Sequence, residues 1–334
     1  MATSRHIQWR ANLHERHFSN PNGEVSLRFI GHTRFSLFEP DSTSWRLSRS
    51  AGRKSEEAYL RRLYSEERMQ SRQEIFFNYS LPILDQAQSG MDLIHVVSYS
   101  DELPARYQMQ LKEAANRYSW LLLDRRDASN RNGLSLENIA REHFNQGDIF
   151  AEYRLDDDDI LAVDYFESLS AYLSNPFVGF HVSHGLGLQA FYENETFFEP
   201  RYEHRPKIAI GLARVCSIGA KRVIGPKRAP HTKIDQRAPV VLDSRSVKFL
   251  HSLHLSQDSG EDKPSGDLAN RFRNYLKQEV PKDYAFHSLF PGVKFGDKLP
   301  DSRKLKALVS THSKPQTIAE FTKKAAERIP RFNW

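Results

Sequence analysis

Cysteine is almost absent: the 334-residue sequence holds one, Cys216. A single thiol makes no internal disulfide and excludes a multi-cysteine zinc or iron–sulfur site. Long apolar runs are missing too, and none approaches the roughly 18–20 residues needed to span a bilayer. The first residues, Met1 to Glu15, alternate polar and charged side chains without an apolar stretch, so no secretory signal is expected there. The sequence has no internal repeat and no low-complexity tract. These absences predict a cytoplasmic protein, at most peripheral at the inner face of a membrane. What is present suffices for a core: 39% of residues are hydrophobic and 11% aromatic. The net charge of +6 and pI near 9.2 favour a phosphate-bearing or otherwise anionic partner, such as a nucleotide, nucleic acid, anionic glycan or membrane surface.

Short apolar β-rich runs alternate with helical stretches, the pattern of an α/β fold with a largely parallel sheet. The first run extends from Val25 to Phe38, and a polar insertion follows from Pro40 to about Lys54. Glu56 to Gln73 reads as a helix with Leu60, Leu63 and Tyr64 on one face, and Pro82 can begin the next. Asp92 to Ser98 is a buried strand, Pro104 to Asn116 a crossover helix and Trp120 to Asp124 the next strand. Leu134 to Phe144 is a helix that Ser135 and Asn138 can help start, and Ile149 to Leu155 is a strand. A helix from Ile160 to Leu173 is expected after it. Residues 92–160 thus form a βαβαβ half of a doubly wound sheet. The chain then becomes β-rich and glycine-broken from Phe177 to Val215, with Val240 to Leu242 a strand and Val247 to Leu255 a strand or helix. Gln257 to Asp267 reads as a loop and Asp267 to Lys277 as a short basic helix. The tail from Asp301 carries eight Lys/Arg against three Asp/Glu.

The strand Ile149 to Leu155 runs directly into Asp156, Asp157, Asp158 and Asp159. Two like charges ~4 Å apart repel by ~1 kcal/mol in water and ~4 kcal/mol at an effective dielectric near 20. A divalent cation removes that cost, and carboxylate oxygens are the ligands that Mg²⁺ and Mn²⁺ prefer. In extended chain, Asp156 and Asp158 share one face and Asp157 and Asp159 the other. Ligands of open α/β sheets bind beyond the carboxyl ends of strands, which is where this cluster lies. There a cation can bridge the phosphates of a nucleoside diphosphate. Capping of the following helix is the competing explanation, and it suits one or two of the four better than all of them.

Arg154-Leu155-Asp156-Asp157-Asp158-Asp159 followed by Ile160-Leu161 resembles the signature of a bacterial rhamnosyltransferase family. Further segments are similar to that family's pattern: His32 to Ser36, Arg72 through Leu81-Pro82, Ser100 to Pro104, and Leu253 to Ser259, in which Gln257 replaces an expected Asn. The resemblance spans roughly residues 25 to 260. It implies a GT-A fold, Rossmann-like with a mostly parallel sheet flanked by helices, and transfer of a sugar from a nucleotide-activated donor. It further implies that Asp156 touches the donor ribose, that Asp158 binds the metal, and that His254 stands as a late metal or phosphate ligand. We accordingly place Asp156 and Asp157 with the donor, and Asp158, Asp159 and His254 with Mn²⁺ or Mg²⁺. The expected organisation is an extension at 1–24, a nucleotide-sugar half at 25–160, an acceptor half at 161–260 and a basic extension at 261–334.

Other candidates follow from position. Arg34, after the first strand, can pair with phosphate oxygens or simply with Glu39. Ser98 and Asp101 end the second strand and can hold a base or ribose, or cap the next helix. Arg125 and Arg126 can steady a diphosphate or sit in a solvated turn. His181 and His184, in His-Val-Ser-His-Gly-Leu-Gly, can line an acceptor site or be structural, and His231 to Lys233 can form a lid or a plain surface loop. For an inverting transfer, Asp235, Asp243 and Asp258 are candidate bases. The expected partners are a nucleotide-sugar donor and a glycan or lipid-linked acceptor, with the tail docking on a membrane face and no nucleic acid. Two rivals remain: a metal-dependent phosphohydrolase or phosphotransferase, and a non-enzymatic basic protein binding nucleic acid or an anionic surface.

Overall fold

The computed structural model describes residues 27–39, 56–254, 272–282 and 285–298. The insertion at 40–54, the loop at 257–267, Asp258 and the tail from Asp301 lie outside them.

The first four parallel strands build the frame. β1 (Arg28–Arg34), β2 (Asp92–Ser100), β3 (Leu121–Arg126) and β4 (Ile149–Arg154) pair in the order β3-β2-β1-β4. All nine residues of β2 are buried, as befits a central strand of a sheet covered on both faces, with His95 and Ser98 among the buried polar exceptions to its apolar residues. α4 (Ala105–Arg117), entered through Pro104, joins β2 to β3, and α5 (Leu136–His143) joins β3 to β4. The Ser135 hydroxyl accepts from the Asn138 amide, capping α5 as expected.

The sheet then turns mixed. β9 (Ala213–Ile218) pairs antiparallel with β4, and β6 (His181–His184) antiparallel with β9, whereas β11 (Val240–Asp243) runs parallel to β6, and β10 (Val223–Ile224) adds antiparallel to β9. A second sheet runs β13-β8-β7-β12-β5, built from β5 (Asp159–Leu161), β7 (Leu186–Glu193), β8 (Thr196–His204), β12 (Phe249–Leu253) and β13 (Phe295–Gly296). The result is the mixed α/β architecture expected, with helices flanking the main sheet.

Two expectations are corrected. Ile160 and Leu161 do not open a helix; they pair with Leu250 and Phe249 in the second sheet, where both are buried, and α6 spans only Tyr165–Ser170. The segment Glu56 to Gln73 is two helices, α1 (Glu56–Leu63) and α2 (Glu66–Ile75), interrupted at Tyr64 and Ser65. α2 continues through a wider π-helical turn, Phe76–Ser80, into α3 (Leu81–Ala87), whose Pro82 lacks the donor that a regular α-turn needs.

Beneath the end of β4 lies a buried polar chain. Thr33 Oγ1 donates to the Leu155 carbonyl at 2.9 Å and meets His95 Nε2 at 2.9 Å, while His95 Nδ1 meets the Tyr153 hydroxyl at 2.7 Å. Burial, aided by nearby His32, lowers the His95 pKa to about 3 and keeps the ring neutral. Gly31 makes the room: a Cβ there would lie 2.0 Å from His95 Nδ1 and 2.5 Å from the Tyr153 ring. Gly31→Ala should therefore cost about 1–3 kcal/mol by overpacking, measured by urea unfolding. A change within 0.5 kcal/mol would show that the rings move aside freely.

Candidate active site at the junction of the two sheets

The chain leaves the first sheet at Arg154 and enters the second at Asp159, so the aspartates form the bridge between the sheets. The extended chain expected there is replaced by a turn at Asp157 and Asp158, closed by the Asp159 amide donating to the Asp156 carbonyl at 3.3 Å; Asp157 (2% exposed) and Asp159 (5%) are buried, and Asp156 and Asp158 are half-buried.

Each carboxylate has its own setting. Arg154 grips Asp156 through Nε at 3.0 Å and Nη2 at 2.7 Å. Asp157 Oδ2 accepts from the Ser36 amide at 2.8 Å and the Ser36 hydroxyl at 3.0 Å, while Oδ1 meets Arg72 Nη1. Arg72 also reaches Asp158 Oδ2 through Nη2 at 2.9 Å. On the same oxygen, Asp158 faces His254 Nε2 at 3.4 Å. Asp159 is buried, and among the described residues its Oδ1 has no hydrogen-bond partner.

The electrostatics follow. Burial raises the Asp159 pKa far above the carboxylate range, and Asp158 and Asp156 add repulsion, so Asp159 is held in its neutral form. Burial also raises Asp157, against the pull of Arg72. For Asp158 the balance reverses: burial pushes up, but Arg72 and His254 together hold it well below the usual range. Burial lowers the His254 pKa against the opposing effect of Asp158, which favours the neutral imidazole.

The compensating charge that the sequence argument assigned to a metal ion therefore comes in large part from Arg72 and Arg154. Among the described residues, no group of three or more His, Cys, Asp or Glu is arranged to hold a metal. The residues fit a divalent ion only in the mode where protein contributes one or two ligands and substrate phosphates the rest. Asp158 and His254, already facing one another, are the pair that suits it. Asp159 is enclosed in the strand ladder instead.

A second polar cluster caps the carboxyl ends of β1, β2 and β3. Ser98 Oγ donates to Asp124 Oδ2 at 2.7 Å, and Arg126 binds both groups, at 3.0 Å and 2.9 Å. Glu39 faces Arg126 at 3.6 Å and Arg34 at 3.4 Å. Arg34 has a lowered pKa, through burial and then Arg154, with Asp156 opposing. Arg34, Ser98 and Arg126 thus gather at the sheet edge that leads to Asp156. Asp101 lies at its rim, 4.0 Å from Arg125.

The remaining candidates lie elsewhere. His184 is buried against the Tyr165 ring at 5.5 Å, and burial lowers its pKa to about 4, so it is a core side chain rather than an acceptor contact. His181 is buried on the same strand. Asp235 ends a 3₁₀ turn, His231–Gln236, and pairs with Lys207 at 2.8 Å. Asp243 binds Arg245 and the Tyr172 hydroxyl, both at 2.8 Å. Neither has a described contact with the aspartate bridge, and Asp258 lies outside the described residues. Sequence reasoning missed Arg72, Arg68, Ser36 and Asp124 as site residues. Arg68, buried beside Arg72, donates to the Ser36 hydroxyl at 2.9 Å. The available signal was two arginines four apart on one helix, which places both on one face.

The acidic bridge and the arginine-rich cluster thus lie together at the strand-end edge of the main sheet. Residues 28–266 match the family described as "Putative rhamnosyl transferase", and the chain belongs to that family of transferases. No curated protein matches it. Among solved structures, S. aureus TarS 1-349 in complex with UDP-GlcNAc is similar, with 10% identity and a TM-score of 0.29 over 77% of this chain and 68% of that chain. Residues cannot be paired one to one at that level. Among the described residues, no helix is long and apolar enough to cross a membrane.

Proposed function

We propose that the chain transfers a sugar, in keeping with its family a rhamnose, from a nucleoside-diphosphate donor to a hydroxyl of a glycan or lipid-linked acceptor. The observation that carries this reading is Asp158, at the strand-end edge of the sheet, whose Oδ2 faces His254 at 3.4 Å and Arg72 at 2.9 Å. Asp156, oriented by Arg154, is assigned to the donor ribose. Arg34 and Arg126 are assigned to the diphosphate, whose negative charge their cluster attracts. Asp158 and His254 are assigned to Mn²⁺ or Mg²⁺, with phosphate oxygens completing the coordination. Once bound, the ion would stabilise the departing diphosphate. Asp157, locked by Ser36 and Arg72, shapes the bridge.

The test is thermal unfolding with a panel of nucleoside diphosphates, with and without Mn²⁺. A ligand at ~100 times its Kd should add ~2.7 kcal/mol of stability. One nucleotide is expected to stabilise the protein in a metal-dependent way, and Asp158→Asn to abolish that dependence while still folding. Indifference to every nucleotide, with and without metal, would sink the reading.

A further inference from the structure

α2 has two working faces. Arg68 and Arg72 point to the aspartate bridge, whereas Glu67, Gln70, Ser71 and Glu74, spaced as neighbours on another face, border an open cleft of about 140 Å³. The end of β7, Phe191 to Asn194, forms the opposite wall, and His254 joins the cleft to Asp158.

The walls are fixed before any ligand arrives. The Tyr192 hydroxyl donates to Glu74 Oε2 at 2.8 Å, and Gln70 Nε2 to Glu74 Oε1 at 3.2 Å. The Tyr79 hydroxyl donates to the Glu195 carbonyl at 2.6 Å, holding the hairpin turn in which Asn194 and Glu195 have φ of 48° and 56°.

Among the described residues, the lining combines three carboxylates, two amides, a hydroxyl, a histidine and two buried aromatic side chains, and no lysine or arginine. These groups are not arranged as a metal site. Carboxylates and amides with spare acceptor sites suit the hydroxyl groups of a sugar, while Phe191 and Tyr192, both buried, anchor the wall from behind. A carboxylate or phosphate on the ligand would meet like charge, with no cation among the described lining residues to offset it.

We propose that this cleft is the acceptor subsite, and that it admits an uncharged or amine-bearing saccharide while rejecting an anionic one. The inference rests on reading the chain as a glycosyltransferase. Glu74 holds an acceptor hydroxyl, and His254 sets the distance from that hydroxyl to the donor side.

Ligand-observed saturation-transfer NMR on the full chain, with the stabilising nucleoside diphosphate present, tests it using cellobiose, the glucosamine disaccharide and digalacturonate. The first two should receive magnetisation and digalacturonate should not. Glu74→Gln should weaken saccharide binding about tenfold, the loss of one hydrogen bond to a charged group. The triple variant E67Q/E74Q/E193Q should lose the discrimination against digalacturonate, with nucleotide affinity unchanged in both. Binding of digalacturonate equal to that of cellobiose, indifference to Glu74→Gln in a folded variant, or no saccharide signal with nucleotide bound would each overturn the assignment. Failure of every nucleoside diphosphate to bind would instead remove the functional reading beneath it.

Discussion

Replacing Arg72 by leucine should destabilise the protein by about 3–5 kcal/mol, the cost of stripping the partner from a buried charge pair. Arg72 is the cation in contact with both Asp157 and Asp158, and its side chain is only 5% exposed. At about 2–4 °C per kcal/mol for a chain of this size, Tm should fall on the order of 10 °C in calorimetry. Arg72→Lys should land between wild type and Arg72→Leu, because an ammonium keeps the charge but lacks the fork that spans two carboxylates. Acid sensitivity supplies a second readout. Asp158 is held below its unfolded value, so its stabilising contribution is present above about pH 4 and lost as pH falls through the folded value. Without Arg72 that dependence should flatten. A loss under 1 kcal/mol would mean that the bridge does not rely on this guanidinium.

Asp158→Asn should lower kcat/KM by on the order of 10²–10³, with donor taken from whichever nucleotide stabilises the wild type. The amide preserves shape and removes the charge, and Arg72 keeps Asp157 as a partner. The fold should therefore survive, and circular dichroism checks it. His254→Ala should cost less, about 10–100-fold. Transfer within tenfold of wild type in Asp158→Asn would place the chemistry elsewhere.

The parallel half was legible because its signals are local. The apolar run of β2, Pro104 before α4 and Ser135 before α5 each specify structure within a few residues. The position of the aspartates was legible for the same reason, since they follow a recognisable strand. The bridge's partners were not. Ile160 and Leu161 read as the start of a helix because the periodic residues beyond them do form α6, while β12, their pairing strand, lies about ninety residues away in the chain. Arg68 and Arg72 sit in a helix so polar that it reads as solvated, and only tertiary packing buries them. His184 misled in the other direction: a histidine among glycines suggests a binding loop, but the strand encloses it. His254 comes beside Asp158 because β12 runs antiparallel to β5 and ends beside its start.

α2 sends its guanidinium groups one way and its carboxylates another. A helix turns about 100° per residue, so inserting or deleting one residue early in α2 would swing both sets out of place at once. The two halves of the machinery are thus geared to one shaft. Single substitutions can retune either side alone, but changes in the length of α2 are barred unless both sides change together.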